Sequence, residues 1–194
     1  MSVKVKRIAV FVSGHGTNMV NIVHYFDSTE VEVAVVVSDN AQCGAISKAN
    51  ELGIESHVFT KREIKEETNV VTFLQNKQID FIVLAGFLGQ IGSPLIAAYP
   101  ERIVNIHPAL LPKYGGKGMY GDHVHEAVLA AKERRSGITI HLVDEAYDHG
   151  TIICQTQCAV LPTDTPESLA QRIHRLEYLY YPLVIKDLLG RIDE

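Results

Sequence analysis

Ile8-Ala9-Val10-Phe11-Val12-Ser13-Gly14-His15-Gly16-Thr17-Asn18 decides the fold. The apolar run Ile8 to Val12 has no helical periodicity and reads as a strand. Glycines at 14 and 16 form a tight turn, and an apolar helical pattern begins at Met19. Glycine lets a backbone turn with positive φ and approach a ligand closely, while the free amides and dipole of a helix start favour an anion. Met19 stands where the third glycine of a dinucleotide fingerprint would be, so a single phosphate fits this turn better than a pyrophosphate. Such a turn can equally do no more than join strand to helix.

The same alternation continues outward. Val31 to Val37, Phe81 to Ala85, Ile103 to Ile106, Ile138 to Val143 and Ile152 to Cys154 read as further strands. Amphipathic stretches near 18 to 27, 42 to 52, 66 to 77, 93 to 99 and 122 to 133 are long enough for crossover helices. Alternation of this kind implies an α/β fold with a doubly wound, mostly parallel sheet. A last helix is predicted to start after Thr165, with Pro166 in its first turn, and to run to about Leu189 with a kink at Tyr181-Pro182. Ligands of open parallel sheets bind at the carboxyl ends of the strands, so chemistry is sought there.

With 194 residues and 46% hydrophobic content, the chain can bury one core, and residues 1–194 read as a single domain. A formal charge of -5 disfavours a polynucleotide partner, whose binding needs clustered Lys and Arg. Residues 1 to 7 are basic without an apolar signal-peptide stretch, and no segment approaches the roughly 18 apolar residues of a membrane span. No membrane partner is expected, and the predicted location is cytoplasmic. Cys43, Cys154 and Cys158 match neither a zinc ribbon nor a redox pair and read as reduced.

Two further loops carry candidate chemistry. The strand containing Ile103 and Val104 ends in Asn105-Ile106-His107-Pro108, and the period of two puts Asn105 and His107 on one face. Pro108 cannot donate to the ladder, which leaves His107 at the carboxyl edge. The pair suits acyl transfer to an amine: Asn105 as donor to a developing oxyanion, His107 as its partner or as proton shuttle. An isolated Asn-x-His is also compatible with a histidine bonded to local backbone. The second loop, Asp144-Glu145-Ala146-Tyr147-Asp148-His149-Gly150, follows the next strand. Asp148 is the chosen carboxylate, with Gly150 permitting the turn; beside His107 it would favour imidazolium and orient the ring. An Asp-x-Gly turn can also be purely structural. His141, mid-strand among apolar residues, is expected to support this loop from behind.

Taken together, Ser13 to Asn18, Val83-Leu84-Ala85-Gly86-Phe87, Asn105 to Tyr114, Asp144 to Gly150 and Glu177 ahead of Tyr181-Pro182 resemble the glycinamide ribonucleotide formyltransferase family, essentially end to end. The resemblance implies a Rossmann-like formyltransferase fold, 10-formyltetrahydrofolate as co-substrate with no metal, and small-molecule partners only, in a monomer or homodimer. It implies a catalytic trio of Asn105, His107 and Asp148. Gly16, Thr17, Asn18, Glu177 and His174 would meet the ribonucleotide, His174 in place of a usual glutamine. Phe87, Leu88, Gly89, Gln90 and Ile91, with Asp144, Glu145, Ala146 and Tyr147, would enclose the pterin. The ribonucleotide side would fall mainly in 8–110, and the folate side with the last helix mainly in 80–190.

The chain departs from the family pattern in places. Leu88-Gly89-Gln90-Ile91-Gly92 replaces a shorter, arginine-bearing turn, and Gly115 to Gly121 replaces a Pro-Gly with a longer segment able to act as a lid. For the folate's glutamate tail, Arg62 and Lys65 are both candidates. Asp122, His123 and His125 crowd a helix start, yet histidines two apart face different sides of a helix and suit a metal poorly. The competing readings are a methionyl-tRNA formyltransferase, which would need a basic tRNA domain, a formyl-tetrahydrofolate hydrolase, and a non-catalytic nucleotide or folate sensor.

Overall fold

A computed structural model describes residues 5–192, so the basic segment at the amino end lies in part outside the described residues. The strands are β1 (Lys6–Val12), β2 (Val31–Ser38), β3 (Ser56–Val58), β4 (Phe81–Leu84), β5 (Ile103–His107), β6 (Arg135–Leu142) and β7 (Ile152–Ala159). The helices are α1 (Thr17–Phe26), α2 (Gly44–Glu51), α3 (Lys61–Glu66), α4 (Asn69–Asn76), α5 (Ser93–Ala98), α6 (Asp122–Ala130) and α7 (Pro166–Arg191). The strands form one sheet in the order β3-β2-β1-β4-β5-β6-β7. β1 to β5 run parallel, whereas β6 is antiparallel to β5, and β7 to β6. The predicted α/β class and mostly parallel sheet therefore hold.

Strand periodicity divides the core between the two faces of the sheet. Ile8, Val10 and Val12 of β1 pack with Met19, Ile22, Leu169, Ile173 and Tyr181 on the face covered by α1 and α7. Ala9 and Phe11 face the other way, onto Ile64, Val70, Leu74 and Leu95 of α3, α4 and α5. In β5, Val104 and Ile106 belong to the first cluster, so Asn105 and His107 point to the opposite face.

Sequence order steps away from β1 in both directions, to β2 and to β4, which makes the gap between β1 and β4 the switch point of the sheet. The loops leaving both strands are tied together there. The Ser13 amide donates to the Gly86 carbonyl (3.0 Å), and the Leu88 amide donates to Ser13 Oγ (2.9 Å).

α7 anchors the site from behind. Thr165 caps it with a reciprocal Thr165/Ser168 box. The helix continues through Pro182, which has no amide to offer the Tyr178 carbonyl; Asn21 Nδ2 of α1 donates to that carbonyl instead (3.0 Å). Tyr181, fully buried, directs its hydroxyl at the carbonyls of Leu84 (2.8 Å) and Val104 (3.1 Å), fastening the helix to β4 and β5.

Candidate functional site

A cavity of about 700 Å³ opens at the carboxyl ends of β1, β4 and β5. Its wall includes the β1–α1 turn, the β4–α5 loop, the end of β5, the loop after β6, and His174 and Glu177 of α7.

At one end sits the start of α1. Gly16 holds φ 72°, and a Cβ there would lie 2.6 Å from the Ala45 Cβ, so both conformation and space demand glycine. No side chain caps α1, which leaves its first amides directed at the cavity edge. Asn18 is buried, and its Nδ2 donates to Glu177 Oε2 (2.9 Å), while its Oδ1 has no protein partner. Burial pushes the Glu177 carboxyl up to about 7, against a smaller lowering effect of the Asn18 hydrogen bond. Three residues earlier on α7, His174 is held below the usual imidazole range by burial, partly offset by Asp122.

Asn105, His107 and Asp148 come together at the middle of the cavity. Antiparallel register sets Asn105 opposite His141 and His107 opposite Thr139. The His141 Nδ1–H donates to the Leu142 carbonyl (2.8 Å), so Nε2 accepts from Asn105 Nδ2 (3.1 Å). The other Asn105 N–H has only a long contact with Asp148 Oδ1 (3.4 Å). His107 donates from Nε2 to the Tyr114 carbonyl (2.7 Å), which leaves Nδ1 facing Asp148 Oδ2 at 3.5 Å. The Gly116 amide donates to that same carboxylate oxygen (2.9 Å).

The electrostatics differ from the sequence expectation in one respect. Burial lowers the His107 pKa by more than the Asp148 charge and the Tyr114 carbonyl raise it, and His141 lowers it further. His107 is 3% exposed, and an imidazolium there loses more hydration than a carboxylate at 3.5 Å returns. Neutral imidazole, not imidazolium, is the resting form. For Asp148 burial raises the pKa, but its neighbours His141 and His107 and the hydrogen bond from the Gly116 amide outweigh it, and the carboxylate is favoured.

The turn that presents Asp148 also differs in its cause. Asp148 itself adopts the left-handed φ of 54°. Gly150 is required for space: a Cβ there would lie 1.9 Å from the Leu142 carbonyl oxygen. Asp144 is not simply solvated either, since its carboxylate accepts from the Ala146 amide (2.9 Å) and His149 Nδ1 (3.0 Å) and so ties the loop to itself.

The far end of the cavity is lined by Phe87, Leu88, Gly89, Gln90 and Ile91 together with Asp144, Ala146 and Tyr147. Phe87 packs edge-on against Phe11 with ring centroids 5.6 Å apart, which fixes the root of the loop. Gln90 Nε2 donates to the Glu145 carbonyl (2.9 Å), joining the two loops. Glu145 lines an adjoining depression of about 430 Å³, shared with Lys65, Glu66, Gln90 and Ile91. Lys65 thus lies beside the Gln90 end of the site, whereas Arg62 turns to an ion pair with Glu67 (2.9 Å).

Two further features complete the wall. Residues 116 to 121 line the cavity along their whole length, and Gly116 is bonded to Asp148. His125 of α6 lines it too and is 2% exposed, while His123 is solvent-exposed and meets Tyr120 edge-on. Helical spacing separates these two histidines, and only His125 turns inward.

Residues 6–185 match the family model described as formyl transferase. A chloroplastic phosphoribosylglycinamide formyltransferase of Arabidopsis thaliana is 43% identical over 93% of this chain. The chain spans 64% of that relative and 62% of the corresponding protein of Vigna unguiculata. The phosphoribosylglycinamide formyltransferase of Bacillus subtilis is 37% identical, with 95% of each chain covered. Among solved structures, the phosphoribosylglycinamide formyltransferase of Bacillus halodurans superposes with a TM-score of 0.85 at 34% identity, covering 96% of this chain and 97% of that one. With the fold, the convergent amide, imidazole and carboxylate, and these matches in agreement, the chain belongs to the formyl transferase family, in its phosphoribosylglycinamide formyltransferase group.

Proposed function

We propose that residues 1–194 act as one unit that transfers a formyl group from 10-formyltetrahydrofolate to the amine of glycinamide ribonucleotide. The observation that carries this reading is the meeting of Asn105, His107 and Asp148 in one cavity, between an anion-favouring helix start and an apolar, aromatic-lined end. The names of the relatives support it.

In such a transfer the amine nitrogen bonds to the formyl carbon, the bond from that carbon to the folate nitrogen breaks, and a proton passes from the amine to the departing nitrogen. Asn105 supplies a donor for the formyl oxygen as negative charge gathers on it. One of its N–H groups is committed to His141, and the long 3.4 Å contact to Asp148 leaves the other free to turn to substrate. His107 presents Nδ1 as its basic atom, because the Tyr114 carbonyl fixes the proton on Nε2. Nδ1 and Asp148 Oδ2 then hold the amine proton between them until it is delivered.

At the ribonucleotide end, Gly16, Thr17 and Asn18 meet the phosphate with backbone amides, Glu177 takes the ribose hydroxyls and His174 stands alongside. At the folate end, Phe87 to Ile91 with Asp144, Ala146 and Tyr147 flank the pterin. Phe87, Ile91 and Tyr147 supply flat or apolar surface there, and loop backbone supplies polar groups, which suits a heteroaromatic ring. Lys65 is the cation placed for the glutamate tail. The proposed compartment is the cytoplasm; the plant relatives are chloroplastic by name. Among the described residues no helix is long and apolar enough to cross a membrane.

Single-turnover mixing of the protein with labelled 10-formyltetrahydrofolate and glycinamide ribonucleotide tests the proposal. Labelled formylglycinamide ribonucleotide is the expected product. Formate release independent of the ribonucleotide would replace the proposal with a hydrolase, and binding without turnover with a sensor.

A further inference from the structure

The mechanism makes no use of His125, yet it is among the most enclosed polar groups of the site. It is 2% exposed, lines the cavity, and its Nδ1 has no hydrogen-bond partner. Burying an imidazole nitrogen with nothing to bond it is unfavourable, and groups left so in a binding cavity are ones that a ligand can satisfy. Its position says which ligand. α7 packs between α1 and α6, and it carries Glu177 against Asn18 and, one turn earlier, His174 towards α6. His125 therefore lines the cavity beside His174, on the side that also holds Glu177 and the uncapped start of α1.

We propose that His125, together with His174, grips the phosphoryl group of the substrate opposite the β1–α1 turn. The two imidazoles become charged only with the anion between them. This inference rests on the ribonucleotide reading of the site. The groups that bear on the His125 ring are Asp122 on its own helix, His174 on α7 and His107 on β5. Burial lowers its pKa first, His174 and His107 lower it further, and Asp122 alone opposes them. Without ligand the ring is neutral; a phosphate dianion at hydrogen-bond distance reverses the balance and draws a proton onto it. The substrate's own charge thus completes its binding site, and a dephosphorylated analogue would not.

The test uses histidine-labelled full-length protein and ring-nitrogen NMR, with His125→Phe assigning the His125 signals. Saturating glycinamide ribonucleotide at pH 7 is expected to move those signals to the imidazolium position. His125→Phe is expected to weaken ribonucleotide binding about tenfold, the usual worth of a charge-assisted hydrogen bond, while leaving 10-formyltetrahydrofolate binding unchanged. His125→Gln, which keeps a neutral donor, should fall between. A saturated complex in which the His125 nitrogens stay neutral overturns the proposal, as does a variant that loses both ligands in proportion, which marks the residue as structural. If the wild-type protein takes up no ribonucleotide at all, the functional reading has failed instead.

Discussion

Glu177→Gln is expected to stabilise the protein at alkaline pH and leave it unchanged at acid pH. The side chain is 7% exposed, and its acid is raised from 4.5 to about 7 because burial penalises the carboxylate. Moving a carboxyl that far corresponds, at about 1.36 kcal/mol per pH unit, to about 3 kcal/mol. The folded state holds this proton more tightly than the unfolded chain, so stability is full below about 4.5 and is lost as pH rises through about 7. Glutamine has nearly the same shape, stays neutral throughout, and still accepts from Asn18 Nδ2 through its carbonyl. Urea unfolding of both proteins from about pH 4 to 9 should give nearly equal free energies at about pH 4 and a gap that opens mainly between about pH 4.5 and 7, reaching about 3 kcal/mol in favour of the variant by about pH 8.5. A gap independent of pH, or a variant less stable at pH 8.5, would refute the reasoning. The same variant should raise the KM for the ribonucleotide, because a neutral amide accepts ribose hydroxyls more weakly than a carboxylate.

Other expectations follow from the catalytic and phosphate groups. His107→Ala and Asp148→Asn should each lower kcat by about a hundredfold or more with unchanged thermal melting, as acid-base and oxyanion groups do; wild-type turnover in both would show the chemistry to lie elsewhere. Since burial lowers the His107 pKa and its neutral form takes up the amine proton, kcat at saturating substrates should stay flat through pH 7 and fall only below the ordinary histidine value of 6.5, an acid limb that His107→Ala abolishes. Asn18→Leu should raise the KM for the ribonucleotide far more than for the folate, and the reverse ratio would move the first loop to the folate side. Gly150→Ala should destabilise by about 2 kcal/mol or more, because its Cβ meets the Leu142 carbonyl; denaturant melts that match wild type would mean that the loop moves aside at no cost.

The parts of the fold written in local patterns were legible in the sequence, and those set by distant pairing were not. β1 and its turn could be read because strand, glycines and helix follow one another within residues 8–19. The three-residue β3, Ser56–Val58, is too short to show a period. α3 was missed although Thr60 and Glu63 form a capping box that the sequence displays; the stretch read as one helix over 66–77 is α4 alone, split from α3 at Glu67 and Thr68. β7 runs to Ala159, beyond the predicted Cys154, because Gln155 to Cys158 keep the exposed/half-buried alternation of an edge strand. The reversal of β6 was illegible: a helix between two strands looks the same along the chain whichever way the second strand runs. In the site, Asn105 and His107 could be paired by parity, and Asp148 by its loop. His141 touches Asn105 only through the antiparallel register.

The two ends of the cavity are built on opposite principles. Around Asn105, His107, His141 and Asp148, protein partners fix the ring tautomers and hold one Asn105 N–H and the Asp148 carboxylate before substrate arrives, leaving the second Asn105 N–H and His107 Nδ1 to meet it. At the ribonucleotide end, α1 has no cap, and Asn18 Oδ1 and His125 Nδ1 belong to the few buried side-chain atoms among the described residues that have no partner. Glu177 is held there against the cost of its charge. Preorganisation serves a transition state, whose charge must be met without rearrangement. Unmet hydrogen-bonding capacity serves recognition, because a ligand lacking the phosphate or the ribose hydroxyls leaves those groups buried and unpaired and is rejected by more than the contacts it fails to make. Under the proposed function, a carboxylate and an imidazole that destabilise the protein by itself would be the means by which the phosphate-bearing substrate is distinguished from its smaller neutral analogues.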